Sequence, residues 1–435
     1  MKTDKDIRIA LQERILLLDG AMGTMLQRRG LSGNFDALNL DEPEIVASVH
    51  RAYIAAGADI IETNTFSSNR ISQQEYGLAG QAAALAREGA RIARREADTA
   101  PRPVWVAGSI GPTSKSLTLS TDVANAAARS LSFDEMAAVY REQVGALVEG
   151  GVDLLLVETC FDALNAKAVL YAAAQVAPGF PVIVSVSPGD RNGRTLTGQT
   201  LEAFYTAIRH YPLTAFGLNC SLGAEELIPL IESVSRFSEV PVICYPNAGL
   251  PNAMGQYDER PEQMAVAVRR MAEAGHLNIV GGCCGTTPDH IAAEKAAVAG
   301  IAPRPLPQKS ALLRVSGLEN VVLDVKHNNF TLIGERTNVA GSRKFARLIA
   351  SGDYDTALQV AAGQIAGGAA VIDINMDDAM LDGPAAMECF VRQIQNDPAV
   401  ARAALMIDSS DWNCILAGLK NAQGKCIVNS ISLKE

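Results

Sequence analysis

A short apolar run followed by an Ala-rich amphipathic stretch occurs eight times in the first 300 or so residues of this chain. The apolar runs are rich in Leu and β-branched residues, which is typical of buried parallel strands, and the stretches between them have helical spacing. The runs are Ile15–Leu18, Ile60–Ile61, Val104–Ala107, Leu154–Val157, Val182–Val186, Ala215–Leu218, Val242–Tyr245 and Asn278–Val280. Eight such units predict an α/β fold, a (β/α)8 TIM barrel over residues 1–302, rather than an open sheet of about five or six strands.

A proline-rich segment follows the eighth unit. Pro303, Pro305 and Pro307 cannot continue a helix, so residues 303–320 are predicted to be a linker. The strand–helix pattern then starts again, which predicts a second domain over residues 321–435.

The second domain is expected to be a truncated barrel. Val321–Val325 and Phe330–Ile333 flank the polar residues His327-Asn328-Asn329, which predicts a hairpin. Four strand-like runs with helical stretches between them occur at Thr331–Gly334, Ala370–Ile374, Leu405–Ile407 and Cys426–Val428. Four strands do not close a barrel of eight, so we expect unpaired strand edges that favour association.

Charge and composition count against several classes of protein. A net charge of −10 argues against nucleic acid as the main partner. The apolar runs are shorter than the roughly 18 residues of a membrane span, so no membrane partner is expected. Residues 1–14 mix acidic and basic side chains without an apolar signal core, which predicts a cytoplasmic protein. Its eight cysteines are then expected to be thiols, metal ligands or core residues rather than disulfides.

Chemically active residues follow the predicted barrel strands. Active sites of (β/α)8 barrels lie at the carboxyl ends of the strands. The residues just beyond the eight runs are Asp19, Glu62, Ser109, Glu158, Ser187, Cys220, Asn247 and the pair Cys283–Cys284. The pattern therefore places three carboxylates, three thiols and an amide on one face of the barrel.

The three thiols indicate a metal site. Cys220 follows the sixth run, and Cys283 and Cys284 follow the eighth on a Gly-rich turn. Three thiolates suit Zn2+, and three protein ligands leave the open position that is typical of catalytic zinc. The alternative for any one of them is packing as a small apolar residue. We adopt that interpretation for the remaining cysteines, Cys160, Cys244, Cys389, Cys414 and Cys426.

The carboxylates indicate a ligand with an ammonium group. Asp19, Glu62 and Glu158 would face the zinc site, and the segment that begins at Ser109 offers backbone amides for a carboxylate. The alternative for a single carboxylate is that it caps the next helix. Together the residues describe a pocket for an amino acid whose side chain reaches the metal.

Four motifs resemble the zinc-dependent homocysteine S-methyltransferases. They are Leu18–Thr24, Glu62–Phe66, Gly217–Cys220 and Gly281–Gly285. The resemblance implies that Cys220, Cys283 and Cys284 bind Zn2+ and that homocysteine sulfur is the fourth ligand. It also implies that Asn247 fills this position without substrate. Asp19 and Glu158 would hold the substrate ammonium, with Glu62 beside them, and Ser109 its carboxylate.

The second region resembles the pterin-binding barrels of dihydropteroate synthases and cobalamin-dependent methionine synthases. The motifs are Ile333–Asn338, Val371–Asn375, Met406–Ser409 and Val428–Ser430. A homocysteine barrel followed by a pterin barrel is similar to the N-terminal part of the latter enzymes. The resemblance implies that the pterin of 5-methyltetrahydrofolate faces Glu335, Asn338, Asp373, Asn375, Asp408 and Asn429.

The resemblance leaves part of such an enzyme unaccounted for. Strands five to eight of the pterin barrel and the cobalamin module have no counterpart in this sequence, which counts against folate binding by the chain alone. We therefore expect homocysteine to be methylated from methylcobalamin that a cobalamin-binding module supplies in trans.

Two other functions remain open. A stand-alone homocysteine methyltransferase using betaine or S-methylmethionine needs no pterin motifs, so the second region argues against it. A non-catalytic zinc–thiolate module would have a fourth strong ligand and no need for carboxylates at several strand ends.

Overall fold

The computed structural model describes residues 6–328 and 330–430, with every side chain in these ranges except that of Asn328. Eight parallel strands form the first sheet. They are β1 (Leu16–Leu17), β2 (Ile60–Glu62), β3 (Trp105–Ile110), β4 (Leu154–Cys160), β5 (Val182–Val186), β6 (Ala215–Gly223), β7 (Val242–Asn247) and β8 (Ile279–Val280). Each strand overlaps one of the apolar runs, so the eight strand predictions are confirmed.

The first sheet closes on itself. Its strands pair in the order β1-β8-β7-β6-β5-β4-β3-β2. A parallel bridge between Leu18 and Ile60 joins the first strand to the second. The predicted (β/α)8 barrel is therefore confirmed.

A long helix follows each barrel strand and covers its outer face. These helices are α4 (Pro43–Ala56), α6 (Ala82–Thr99), α7 (Phe133–Gly150), α8 (Ala163–Val176), α9 (Leu201–Ile208), α10 (Ala224–Phe237), α11 (Pro261–Glu273) and α12 (Pro288–Val298). Shorter helices are α1 (Ile7–Glu13), α2 (Met22–Gln27), α3 (Leu38–Asp41) and α5 (Arg70–Gln74). Gly57 and Gly151, with φ of 113° and 94°, end α4 and α7 and turn the chain toward the next strand.

The interior of the barrel is filled at one end. Leu16, Ile60 and Leu154 on the inner strand faces pack together with Ile7 and Leu11 of α1. Helix α1 precedes the first strand, so it covers the end of the barrel where the strands begin. The opposite end, where the strands finish, is left for a binding site.

A second unit follows the barrel. Its four parallel strands pair in the order β11 (Ile333–Asn338), β12 (Val371–Asn375), β13 (Ala404–Asp408) and β14 (Ile427–Asn429), as predicted. An antiparallel pair, β9 (Leu313–Ser316) and β10 (Asn320–Leu323), precedes them. The helices are α13 (Val325–Asn328), α14 (Arg343–Ala350), α15 (Tyr354–Ala366), α16 (Gly383–Gln395), α17 (Pro398–Ala401) and α18 (Trp412–Asn421). Across the described ranges, 6–328 and 330–430, we find no helix with the length and apolar character needed to cross a bilayer.

The hairpin lies earlier in the chain than predicted. The predicted hairpin around residues 327–329 is wrong, because the chain is helical up to Asn328; Asn329 lies outside the described residues. The actual hairpin, β9–β10, occupies part of the predicted linker. Val315 of β9 packs against Val371 and Ala404 of the second sheet. This long-range contact is not visible in local turn propensity.

The second unit packs against α8 and α9 of the barrel. Glu202 of α9 accepts hydrogen bonds from Arg314 at 2.8 Å and Asn320 at 2.9 Å. Lys167 of α8 donates to the carbonyl oxygens of Ala422 at 3.0 Å and Gly424 at 2.5 Å. The proline-rich segment thus leads into a docked hairpin rather than a free tether.

Candidate metal and substrate site

Three cysteine sulfurs meet at the open end of the barrel. Cys220 lies in β6, and Cys283 and Cys284 follow β8 after two glycines. The Sγ of Cys284 is 4.0 Å from the Sγ of Cys220 and 4.0 Å from that of Cys283, and all three lie within 4.8 Å of one another. Zn–S bonds of about 2.3 Å at tetrahedral angles place sulfur atoms about 3.8 Å apart. The remaining cysteines, Cys160, Cys244, Cys389, Cys414 and Cys426, lie outside this cluster and are buried or partly buried.

The backbone turns sharply to aim these sulfurs. Cys220 and Ser221 have φ of 58° and 60°, in the left-handed region, which costs a non-glycine residue about 1–2 kcal/mol. The pairing of β6 with β7 shifts register just after Asn219, so the strand is irregular where the cysteine stands. At Gly285, whose φ is 85°, a Cβ would lie 2.3 Å from the side chain of Tyr257. Strain of this kind is typical of functional sites.

The three sulfurs share their protons unequally. The thiols of Cys283 and Cys284 hydrogen-bond to the sulfur of Cys220 and lower its pKa to about 3. The same interaction raises the pKa of Cys283 well above its ordinary value and the pKa of Cys284 to about 11. A thiophilic divalent cation fits this donor set, because it binds cysteines as thiolates, displaces the remaining thiol protons and offsets two of the three negative charges.

Asn247, at the end of β7, contacts two of the cysteines. Its Oδ1 accepts a hydrogen bond from the backbone N–H of Cys284 at 3.1 Å, and its side chain also hydrogen-bonds to Cys220. The structure places Asn247 beside the sulfurs, but its amide oxygen already accepts a hydrogen bond from the backbone of Cys284. Its role as a fourth ligand requires the amide to turn and stays a prediction.

Three carboxyl groups lie in the same end of the barrel. The backbone N–H of Glu62 donates to both carboxylate oxygens of Asp19 at 3.1 Å. Glu158, in β4, accepts hydrogen bonds from the hydroxyl of Ser109 and, at 3.3 Å, from the hydroxyl of Tyr245. The structure therefore brings together the carboxylates that the strand ends predict.

Burial and mutual repulsion favour the protonated forms of these groups. Burial, with the neighbouring charge of Glu158, raises the pKa values of Asp19 and Glu62 well above their ordinary range. Burial raises the pKa of Glu158 to about 7. A ligand with a positive charge would favour ionisation of the same carboxyl groups. The cluster is therefore suited to an ammonium group.

The sulfurs and the carboxyl groups line a single cavity of about 520 Å³. This volume is in the range of small-molecule sites. An amino acid whose ammonium faces the carboxyl groups would direct its side chain to the cysteines.

A second polar cluster lies at the carboxyl ends of the strands of the second unit. Asn338 donates to Asp373 at 3.1 Å and to Asp408 at 3.3 Å, and Asn375 donates to Asp408 at 3.0 Å. Burial raises the pKa of Asp373 to about 6. Four of the six residues predicted to face a pterin are thus in contact.

The other two predicted pterin residues lie at the margin of this cluster. Glu335 is exposed where β11 shifts register against β12, although its charge still raises the pKa values of Asp373 and Asp408. Asn429 pairs with Asp408 in the sheet, and its carbonyl accepts a hydrogen bond from the N–H of Ser409 at 2.9 Å.

Comparison with known families decides the class of the first barrel. The homocysteine S-methyltransferase family matches residues 16–298, which span β1 to α12. The chain belongs to the homocysteine S-methyltransferase family. A second family, the pterin-binding enzymes, matches residues 334–435, which begin in β11. Both family resemblances carried by the sequence motifs are confirmed at this level.

Solved structures of a homocysteine methyltransferase share this fold. MmuM from Escherichia coli in its oxidised form is 27% identical, with a TM-score of 0.55 over 65% of this chain and 95% of that chain. Its metallated form is 26% identical, with a TM-score of 0.51 over 66% of this chain and 98% of that chain. About two thirds of this chain therefore corresponds to nearly all of that enzyme.

Ser109 lies in the cavity, but its polar groups are already used. Its hydroxyl donates to Glu158, and its backbone N–H donates to the hydroxyl of Thr63 at 3.0 Å. The N–H of Gly111 donates to the carbonyl of Phe66 at 3.0 Å. These two amides of the segment are thus engaged within the protein, and the role of Ser109 toward a substrate carboxylate stays a prediction.

Three site residues were not identified from the sequence. Tyr245 stands two residues before Asn247 in β7, so strand alternation, which puts both on the interior face, is a signal that could have found it. Asn219, fully buried, precedes Cys220 and hydrogen-bonds to the sulfur of Cys283. Tyr257 reaches Cys284 from the loop after β7, through a contact that only the tertiary structure reveals.

Proposed function

We propose that the first barrel holds Zn2+ through Cys220, Cys283 and Cys284 and transfers a methyl group to the sulfur of homocysteine, forming methionine. The observation that carries this proposal is the cavity of about 520 Å³ that both the three sulfurs and the three carboxyl groups line. A structural metal site needs no such cavity beside it. The family match supports the reaction class.

The residues of the cavity have distinct roles in this proposal. When bound, Zn2+ keeps a ligating thiol deprotonated at neutral pH and leaves its fourth position to the homocysteine sulfur. Asp19 and Glu158 bind the substrate ammonium, with Glu62 beside them. Tyr245 holds the carboxylate of Glu158 by its hydrogen bond at 3.3 Å. A substrate whose ammonium group is bound by these carboxyl groups has its sulfur directed to the cysteines.

For the methyl donor we propose methylcobalamin, supplied in trans by a cobalamin-binding module and methylated originally from 5-methyltetrahydrofolate. The match of residues 334–435 to pterin-binding enzymes supports this donor. In this proposal the pterin faces the second polar cluster. Titration of the chain with 5-methyltetrahydrofolate tests that part, with Asp373→Asn as the variant expected to weaken binding.

A stand-alone homocysteine methyltransferase is the second candidate, with betaine or S-methylmethionine as donor. The observation that favours it is the match to MmuM, of which this chain covers 95%. The match takes up 65% of this chain, about the share that the first barrel occupies, so that enzyme has little length left for a second unit.

Zinc content tests the metal site. We expect the purified chain to hold one zinc, with a sulfur-rich first shell by X-ray absorption that gains a sulfur when homocysteine is added. Cys220→Ser should lose most of the metal, whereas Cys389→Ser, a partly buried cysteine of the second unit, should retain it. Full zinc retention in Cys220→Ser with an unchanged absorption spectrum would contradict the proposal.

Methyl donors supplied one at a time test the reaction. Methionine formed from methylcobalamin supports the first candidate, and methionine formed only from betaine or S-methylmethionine supports the second. A zinc-loaded chain that forms methionine from none of them would indicate a non-catalytic zinc–thiolate module.

A further inference from the structure

Asn219 occupies the junction between the carboxyl groups and the sulfurs. The residue is fully buried in β6, directly before Cys220. Its Oδ1 accepts hydrogen bonds from the N–H of Thr159 at 3.0 Å and the hydroxyl of Ser185 at 2.6 Å. Its Nδ2 donates to the hydroxyl of Thr159 at 2.8 Å and to the Sγ of Cys283 at 3.8 Å. The amide thus joins the ends of β4, β5 and β6 to the cysteine pair after β8.

Two of the residues next to this amide have an unfavourable backbone conformation. Thr159 and Cys220 have φ of 57° and 58°, in the region that favours glycine. Such conformations persist only where surrounding contacts over-determine them. Asn219 is bonded to Thr159 through both ends of its amide, and it is covalently linked to Cys220. Its side chain is therefore placed to fix both turns at once.

We infer that Asn219 is a positioning residue that couples the ammonium-binding end of the cavity to the metal-binding sulfurs. Thr159 follows Glu158, so the Asn219 amide fixes the strand end that carries this carboxylate. The same amide donates a hydrogen bond to the sulfur of Cys283, which orients this sulfur and stabilises it as a thiolate. Partners that hydrogen-bond to metal ligands contribute to metal affinity in this way. The inference rests on the proposed zinc site.

The Asn219→Asp variant isolates the contact with sulfur. Aspartate has the same shape, and the Thr159 hydroxyl is able to donate to the new oxygen, so the bonds to Thr159 and Ser185 are retained. Only the donor to Cys283 is lost, and a negative charge replaces it beside the thiolates. We expect zinc to bind roughly 10–100-fold more weakly, measured by competition with a chromophoric chelator. With Co2+ as a probe, we expect the thiolate charge-transfer band to shift or weaken.

Asn278→Asp is the matched control. Asn278 is equally buried, accepts from the N–H of Val242 at 2.8 Å and donates to the carbonyl of Arg304 at 2.9 Å. It lies just before β8, at the end of the barrel away from the sulfurs. This variant should lose stability in urea but bind zinc and Co2+ as the wild type does. If Asn219→Asp binds zinc within about twofold of the wild type, or if the control weakens zinc equally, the inference is overturned.

A second variant covers the case in which Asn219→Asp does not fold. Thr159→Val keeps the shape of the side chain and removes only the oxygen that accepts from Asn219. We expect zinc affinity to fall severalfold, and affinity for methionine, which carries the ammonium group, to fall with it. Unchanged affinities for both ligands overturn the inference. Since the metal readouts need no turnover, a wild type that binds zinc without methylating homocysteine contradicts the proposed function while leaving this test intact.

Discussion

Among single residues, Glu158 has the most informative surroundings. Its carboxylate accepts hydrogen bonds from Ser109 and Tyr245, and a side-chain hydrogen bond joins it to Glu62. Glu62 holds the proton of this pair, because the bond lowers the pKa of Glu158 and raises that of Glu62. Glu158 is therefore the carboxyl group that ionises first when a cationic ligand approaches.

The affinity for methionine should depend on pH through Glu158. Methionine has an ammonium group but no thiol, so its binding reports the carboxyl groups alone. The pKa of Glu158 is about 7, so the ionised fraction rises about tenfold between pH 6 and pH 8. We expect the Kd for methionine, measured by calorimetry, to fall by up to about tenfold over that interval.

The Glu158→Gln variant should bind methionine weakly at both pH values. Glu294→Gln removes a buried carboxyl group outside the cavity and should keep the wild-type pH dependence. A Kd for the wild type that does not change between pH 6 and pH 8 would exclude Glu158 as the ammonium partner.

Glu294 itself should limit stability at high pH. It is fully buried in α12, and neither of its carboxyl oxygens has a hydrogen-bond partner among the residues that the structure describes. Burial raises its pKa well above the ordinary 4.5. Above pH 4.5 the unfolded chain releases a proton that the folded protein retains, so the free energy of unfolding falls as pH rises toward the folded pKa. We expect Glu294→Met to raise the free energy of unfolding by about 1–3 kcal/mol at pH 8 and by less at pH 5. Urea denaturation at the two pH values checks this, and equal gains at both would contradict it.

At the scale of helices and strands, local sequence predicts most of the fold. Buried parallel strands need continuous apolar runs, and all twelve strands of the two parallel sheets overlap such runs. Glycines such as Gly57 and Gly151 end a helix before the next strand, because the positive φ at that position is a conformation that glycine adopts without steric cost. The β9–β10 hairpin was missed because nearby prolines indicate a linker, while its pairing depends on contacts with β12 and β13, far along the chain.

The candidate site was only partly predictable for a related reason. Carboxyl ends of parallel strands converge, so Cys220, Cys283 and Cys284 could be grouped from their order along the chain. The hydrogen-bond partner of each polar atom, however, depends on distances across the barrel. The hydroxyl of Ser109 faces Glu158 on the neighbouring strand, and the amide of Asn219 faces Cys283 two strands away. Hydrogen bonds between strands of this kind cannot be predicted from any single motif.

The turn between β9 and β10 should tolerate only glycine at position 317. A Cβ on Gly317 would lie 2.1 Å from the carbonyl oxygen of Ala403 and 2.3 Å from that of Ala401. Backbone atoms cannot move aside easily, so Gly317→Ala should destabilise the second unit by about 1–3 kcal/mol in urea denaturation. Gly145→Ala in α7 is the control, since the nearest atom to its Cβ is 3.9 Å away; it should gain about 0.5–1 kcal/mol. If Gly317→Ala left the free energy of unfolding unchanged, the hairpin would not pack on the second sheet.

At the scale of the whole molecule, the two polar clusters belong to separate sheets that are joined by a packed interface. Charged side chains of the barrel reach the second unit at several points, including Glu202 to Arg314 at 2.8 Å. The interface uses α8 and α9 and also the loop between β3 and α7, where Asn396 donates to the carbonyl oxygen of Ala126 at 3.0 Å, so it extends to loops at the carboxyl end of the barrel.

Lys167 should determine how firmly the two units are held together. Its ammonium group donates to the carbonyl oxygens of Ala422 and Gly424, which lie between α18 and β14. Burial lowers its pKa to about 8, so the group is still mostly charged at pH 7 and strengthens both hydrogen bonds. Lys167→Met should remove them and leave two carbonyl groups without partners, at a cost of about 1–3 kcal/mol. We expect faster amide hydrogen exchange across residues 422–428, with zinc affinity unchanged.

Lys420→Met is the matched control, because Lys420 also crosses the interface, to Asp134 at 2.6 Å, but that carboxylate is 61% exposed. Exposed pairs contribute less than about 1 kcal/mol, so exchange in this variant should stay close to the wild type. Equal effects of the two substitutions would show that the interface depends on net charge rather than on the buried hydrogen bonds of Lys167.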